Sequence, residues 1–225
     1  MKDLIDYIDD NQERYLAELF DLLRFQSAST EDEKASDVRN CAQFLVDHLR
    51  DIGATKVDLI DTPKHPVVLA QFVTDSTKPT LLIYGHYDVQ PEDPLDQWTS
   101  PPFEPEIRDD FIYARGVADD KGQIFCHIKA IEAWLNIKGD LPVNITLLIE
   151  GEEEIGSPNL AAFIKTYKED LKADVAIISD TPMYAPDQPA LSISLRGMVY
   201  AEIFVQGPHA DLHSGQYGGV VQNPI

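Results

Sequence analysis

The chain has 225 residues, with 39 acidic and 18 basic side chains and a formal net charge of −21. A hydrophobic share of 44% beside 25% charged residues is that of a folded domain and excludes an acidic disordered tail. No clustered Lys and Arg offset the acidity, so neither nucleic acid nor an anionic membrane is an expected partner.

The length allows one large domain, or one domain and part of a second. Cys41 and Cys126 are scattered and form no CxxC, which suits a reduced, cytoplasmic protein. The charged start MKDLIDYIDDNQERY does not read as a signal peptide, and no apolar run approaches the roughly 20 residues of a membrane span.

In chain order, residues 1–25 carry Leu4, Ile5, Ile8, Leu16, Leu19, Phe20 and Leu23 at helical spacing and predict one amphipathic helix. A second helix is expected over about 31–52, with Thr30 and Glu33 as a capping box and Gly53 past its end. The pattern then turns strand-like at Lys56–Ile60, Val67–Val73 and Thr80–Tyr84. Pro91–Pro105, with five prolines, predicts a long ordered loop. A short strand at Phe111–Tyr113, a helix at Gly122–Asn136, a buried strand at Val143–Ile149, a helix at Pro158–Tyr167 and a buried strand at Val175–Ile178 follow. Apolar strands alternating with helices predict an α/β fold whose mainly parallel, mixed sheet is covered by helices. Thr181–Pro189 reads as a crossing between domains, so the boundary is placed between 1–188 and 189–225. Ala190–Leu195 and Met198–Val205 then look like strands, and within GGVVQNPI the chain is expected to break off as a new element begins.

Four places put polar residues where predicted strands end, the edge at which open α/β sheets bind ligands. In LLIYGHYDVQP, His86 and Asp88 share one side of an extended segment, and a carboxylate beside a metal-bound His usually orients it. Capping of a strand by His86 is the plainer alternative. In ARGVADDKG, Asp119 and Asp120 either meet a cation or cap the helix that follows. In LLIEGEEEIGS, Glu150, Glu152, Glu153 and Glu154 follow an apolar strand, where burial raises carboxylate pKa values unless a cation neutralises them; a solvated acidic face is the alternative. In VAIISDTP, Asp180 ends another apolar strand. One His and several carboxylates, without Cys, are the ligand set of a hydrolytic zinc or cobalt site. A shared carboxylate suits two metals, and a non-ligating Glu suits a general base. His48, His65 and His127 read as structural, and His209 as a possible extra contact. No EF-hand spacing supports a calcium-binding alternative.

The ordered motifs His86–Pro91, Ala114–Gly122, Gly151–Ser157, Ile178–Asp180 and Asp211–Gly215 resemble the M20 family of metallopeptidases, in particular its cytosolic non-specific and carnosine-type dipeptidases. The similarity runs from about residue 70 onward. It implies a zinc-exopeptidase-like fold followed by the start of an α+β lid and dimerisation domain, two Zn²⁺ (Mn²⁺ or Co²⁺ as substitutes), a small peptide substrate and a homodimer formed through the lid. By position, His86, Asp119, Glu154 and Asp180 resemble the metal ligands, with Asp119 bridging. Asp88 resembles the orienter of His86, Glu153 the general base, and His213 an oxyanion-stabilising His given to the partner subunit's site. A cis Asp119–Asp120 bond is also implied. Family members are about twice as long and bring a last His ligand from their second half. This chain alone is therefore expected to be a poor catalyst. The alternatives are an N-acyl amino acid deacylase of the same family and a non-catalytic metal-binding fragment.

Overall fold

The computed structural model describes residues 1–186, 188–222 and 224. Two compact units share the chain, Met1–Met183 and the segment from Tyr184 onward.

In the first unit the strand-period segments pair into one five-stranded mixed sheet of order β1-β2-β6-β3-β7. Its members are β1 (Lys56–Ile60), β2 (Val67–Phe72), β3 (Thr80–His86), β6 (Asn144–Glu150) and β7 (Val175–Ile178). The β1–β2 and β2–β6 pairs are antiparallel, whereas β3 lies parallel to both β6 and β7. A separate hairpin joins β4 (Glu106–Arg108) to β5 (Phe111–Tyr113). Its turn residues Asp109 and Asp110 both have positive φ, the geometry that matches strand twist in a tight hairpin. Sequence pattern found β5 but not β4, because the turn lacks the Gly that usually marks such a hairpin.

Side chains alternate across the sheet, so each strand feeds two cores. Val68, Ala70, Phe72, Ile83, Ile145, Leu147 and Ile149 pack with α2 (Gln12–Leu23), α3 (Ala35–Asp51) and α4 (Lys121–Lys138). On the other face, Val67, Leu69 and Leu148 meet Phe163 of α5 (Leu160–Thr166) and Leu171. β6 is buried along its whole length because strands flank it and helices cover both its faces.

Several elements differ from expectation. The first helix is two, α1 (Lys2–Asp10) and α2. Asn11 leaves helical geometry at the junction, and its side-chain amide donates to the Tyr7 carbonyl at 2.8 Å. The capping box at Thr30 does not form; a 3₁₀ turn at Asp32–Lys34 leads into α3 without a side-chain cap. Gly53 does stand just past α3 with φ of +100°. β7 is an edge strand and is mostly exposed rather than buried, with Val175 at 57% and Ile178 at 63%.

In the second unit, Ala190–Leu195 and Met198–Val205 form no strands. Leu191, Ile193, Leu195, Tyr200 and Phe204 alternate as a strand would, yet all are exposed. A strand needs a neighbour for its backbone groups, and among the described residues none pairs with these segments. Among its described residues the unit has one short helix, α6 (Ser214–Tyr217). The expected break-off within GGVVQNPI falls partly on residues outside this description.

Candidate metal centre

The parallel register sets His86 at the end of β3 opposite Glu150 at the end of β6. Asp180 follows β7 by two residues, and Asp119 lies in the turn before α4. One chemical edge thus gathers residues that are far apart in sequence.

His86 has no exposed surface, and its Nε2 lies 3.1 Å from an Asp119 carboxylate oxygen and 3.5 Å from one of Asp180. That nitrogen has no hydrogen-bond partner. Ligand atoms of His86, Asp119 and Asp180 all fall within 4.8 Å of one another. On the far side of the ring, Nδ1 lies 3.0 Å from the Asp88 carbonyl oxygen and 3.4 Å from the Asp88 carboxylate. The ring is therefore oriented from behind, with Nε2 facing two carboxylates. Burial alone would lower the His86 pKa, but the hydrogen bond and charge of Asp88 and the charge of Asp120 outweigh it and push it up to about 10. A cation shared by the acids is what this excess of negative charge favours.

Asp120 takes the N-cap position of α4 but does not cap it. Its Oδ2 accepts instead from the His86 backbone N–H at 3.1 Å. Burial, opposed by His86 and assisted by Asp180 and Asp119, raises its pKa to about 7. The Asp119–Asp120 peptide is cis, as expected. The close approach of Asp120 depends on Gly85, where a Cβ would stand 2.5 Å from Asp120 Oδ2 and 2.1 Å from Ile124 Cγ2. Gly85→Ala is expected to cost about 2 kcal/mol through overpacking, read as a lower midpoint in denaturant unfolding.

The acidic run divides into two uses. Glu150 accepts from the Tyr84 hydroxyl at 2.5 Å and the Ser157 hydroxyl at 2.8 Å. Glu152 is buried and accepts from Thr62, the His65 N–H and Asn159. Burial pushes the Glu152 carboxyl up, yet these donors hold it below its usual value. Glu153 and Glu154 sit on a 3₁₀ turn whose N–H groups donate to the Asp88 carboxylate at 3.2 and 3.1 Å. Their own carboxylates stay raised, first by burial, then by one another's neighbourhood: Glu154 and Asp180 act on Glu153, and Asp119 acts on Glu154. Glu154 stands outside the tight three-residue group, its Oε2 held by the Gln90 amide at 2.7 Å.

His213 belongs to the second unit, where its Nδ1 accepts from the Gly215 N–H at 3.1 Å and caps α6. His65 and His127 have structural partners, the Ser29 carbonyl and the Ser179 hydroxyl. Sequence reasoning missed Ser29 and Gln90. Gln90 lay inside the HYDVQP motif and was available to it; Ser29 carried no pattern.

A second group of ligand-type side chains, Glu18, His48 and Glu132, also converges. There the cation is already present: Lys129 Nζ contacts Glu18, lies 2.7 Å from Glu132 and 2.7 Å from His48 Nε2. The His86 group has no such lysine among the described residues, and this separates a metal-type site from an internal ion cluster.

A sequence profile of Peptidase family M20/M25/M40 matches residues 82–217, which include every motif of the first site. The chain belongs to this peptidase family. Among curated M20 relatives, the Cys-Gly metallodipeptidase of Schizosaccharomyces pombe is 37% identical, covering 99% of this chain and 49% of its own length. The Beta-Ala-His dipeptidase of Rattus norvegicus is 31% identical over 100% of this chain and 49% of its own length. The crystal structure of human carnosine dipeptidase 1 superposes with a TM-score of 0.78 at 30% identity, over 99% of this chain and 50% of that one. The chain spans about half the length of the relatives it matches. Membership implies a divalent metal, and the buried, partnerless His86 nitrogen facing two carboxylates fits one.

Proposed function

We propose that this chain carries the metal-binding core of a dipeptidase that hydrolyses the amide bond of short peptides, of the Cys-Gly or β-Ala-His kind named for its relatives. The observation that supports this best is the His86 Nε2 atom, wholly buried, without a hydrogen bond and facing the carboxylates of Asp119 and Asp180.

In this reading His86, Asp119 and Asp180 would hold one Zn²⁺, and Asp119 and Glu154 would serve a second. Bound metal would supply Lewis acidity, lowering the pKa of water and polarising the scissile carbonyl. Asp88 keeps the His86 ring in place and pins the backbone of Glu153 and Glu154. The Glu153 carboxylate is the general base: it takes a proton from the attacking water and returns it to the leaving amine. Burial, with Glu154 and Asp180 nearby, holds its pKa above the usual carboxylate value. His213 is assigned to the oxyanion, acting in the partner subunit of a homodimer formed through the domain that begins near residue 189. The protein is assigned to the cytoplasm; no helix among the described residues is long and apolar enough to cross a membrane.

The test measures Zn²⁺, Mn²⁺ and Co²⁺ uptake by calorimetry alongside hydrolysis of Cys-Gly and β-Ala-His. Uptake with hydrolysis that Glu153→Gln abolishes without loss of metal supports the reading. Uptake with no turnover at any metal loading favours the non-catalytic metal-binding alternative. Absence of uptake overturns the proposal.

A further inference from the structure

The Asp88 carboxylate is the junction of the site. Its Oδ1 faces the Glu153 N–H at 3.2 Å and His86 Nδ1 at 3.4 Å. Its Oδ2 accepts from the Glu154 N–H at 3.1 Å and from the Ser29 hydroxyl at 2.6 Å. Three of these donors belong to the segments already assigned to the metal centre. Ser29 comes from elsewhere, the stretch between α2 and the 3₁₀ turn at Asp32–Lys34.

That stretch is fixed independently of Asp88. The Val89 N–H donates to the Ser27 carbonyl at 3.0 Å, and the Ser27 hydroxyl donates to the Tyr87 carbonyl at 2.7 Å. Ala28 bridges Val89 in parallel fashion. Upstream, the buried Lys121 ammonium donates to the Phe25 carbonyl at 2.9 Å and the Leu22 carbonyl at 3.3 Å. Downstream, His65 Nε2 lies 3.1 Å from the Ser29 carbonyl. Ser27 and Ser29 themselves are fully buried. The Ser29 hydroxyl is thus a preorganised donor aimed at a buried carboxylate, and such charge-assisted bonds are the strong ones.

We propose that Ser29 is a positioning residue of the metal centre, acting through Asp88. The inference rests on the metal-centre reading above. The Ser29 bond decides which Asp88 oxygen faces His86 and which faces the Glu154 N–H. Without it the carboxylate plane is free to turn, and the His86 ring and the Glu153–Glu154 turn lose their common anchor. Ser27 provides the control. Its hydroxyl is equally buried on the same stretch, but it holds a backbone carbonyl rather than Asp88.

The experiment titrates Co²⁺ into the full chain and follows its visible absorption, for wild type, Ser29→Ala, Ser29→Cys, Ser27→Ala, Asp88→Asn and the Ser29→Ala/Asp88→Asn pair. Ser29→Ala is expected to weaken Co²⁺ about 10-fold, the lower end for loss of an outer partner of a ligand, and to shift the absorption bands. Ser29→Cys, close in volume but a weak donor, is expected to fall between wild type and Ser29→Ala, and it carries the test if Ser29→Ala does not fold. Ser27→Ala is expected to melt earlier and, since its hydroxyl reaches Asp88 only through the Tyr87 carbonyl, to weaken Co²⁺ less than Ser29→Ala does. In the Asp88→Asn background, Ser29→Ala is expected to add nothing. Wild-type affinity and spectrum in the Ser29 variants would overturn this inference alone, as would equal weakening by Ser27→Ala or additive losses in the pair. Absence of Co²⁺ uptake by wild type would overturn the metal-centre reading, and this inference with it.

Discussion

Asp119→Ala is expected to have opposite effects on stability with and without metal. With a divalent metal present, the variant should lose affinity by more than the roughly 100-fold that marks the upper range for outer partners, because Asp119 is assigned as a direct and shared ligand. Wild type held at about 100 times its Kd gains roughly 2.7 kcal/mol from binding, and the variant at the same concentration gains almost none. With a chelator present the sign reverses. Asp119 stands among Asp120, Asp180 and Glu154, and its charge pushes the carboxyls of Asp120 and Glu154 up. Removing it relieves this repulsion, which here outweighs the lost approach of His86 Nε2 at 3.1 Å, and empties no core, since Asp119 is itself 60% exposed at its side chain. The metal-free variant should therefore melt no earlier than metal-free wild type. Thermal melts of both proteins, each with chelator and with added Zn²⁺, check this. A variant that melts earlier in chelator would show that the ion pair with His86 outweighs the repulsion, and equal stabilisation of both proteins by Zn²⁺ would overturn the assignment of Asp119 as a ligand.

What the sequence reveals about this site follows from where its information is local. His86, Asp119 and Asp180 each sit at the end of a strand or turn that pattern alone identifies, and the fold brings their polar atoms within 4.8 Å of one another. The acidic run was less legible, because four carboxylates of one kind carry different fates. Glu150 and Glu152 are consumed by Tyr84, Ser157, Thr62, His65 and Asn159, donors spread over more than 90 residues. Glu153 and Glu154 have no such set of donors, and burial keeps both carboxyls raised, as it does that of Glu150. Ser29 was illegible for the same reason: its partner is 59 residues away, and nothing in QSAST marks a buried donor. Alternation misled in the second unit. Residues 190–205 have strand periodicity, but periodicity describes a face and supplies no neighbour. The same limit explains β7, which has a strand's sequence and only β3 beside it.

Lys129→Met should destabilise the fold by about 3 kcal/mol, the lower end for removing one partner of a buried ion pair, since Arg14 still reaches Glu132. Lys129 and Glu132 are both almost fully buried on α4 and lie 2.7 Å apart. The same ammonium contacts Glu18 of α2, while His48 Nε2 of α3 accepts from it at 2.7 Å. One side chain therefore ties three helices together. Arg14 adds a second cation, 2.5 Å from Glu132 and 2.8 Å from Glu18, but it reaches in from the exposed side and does not touch His48. The pH dependence gives the prediction its signature. Burial pushes the Glu18 carboxyl up, but the bonds from Lys129 and Arg14 outweigh it, so its folded pKa lies below 4.5. That contribution is fully present above the unfolded value and is lost as pH falls through the folded one. The His48 pKa is lowered by burial and then by Lys129, so wild type also loses stability as pH falls below 6.5. In Lys129→Met both trends weaken: Glu18 loses its main donor and is less costly to protonate, and His48 no longer faces an ammonium. The stability gap between wild type and variant should be widest near pH 7 and narrow towards pH 4. Urea unfolding at a series of pH values measures it. A gap that stays constant across that range would mean that Lys129 contributes packing and not charge.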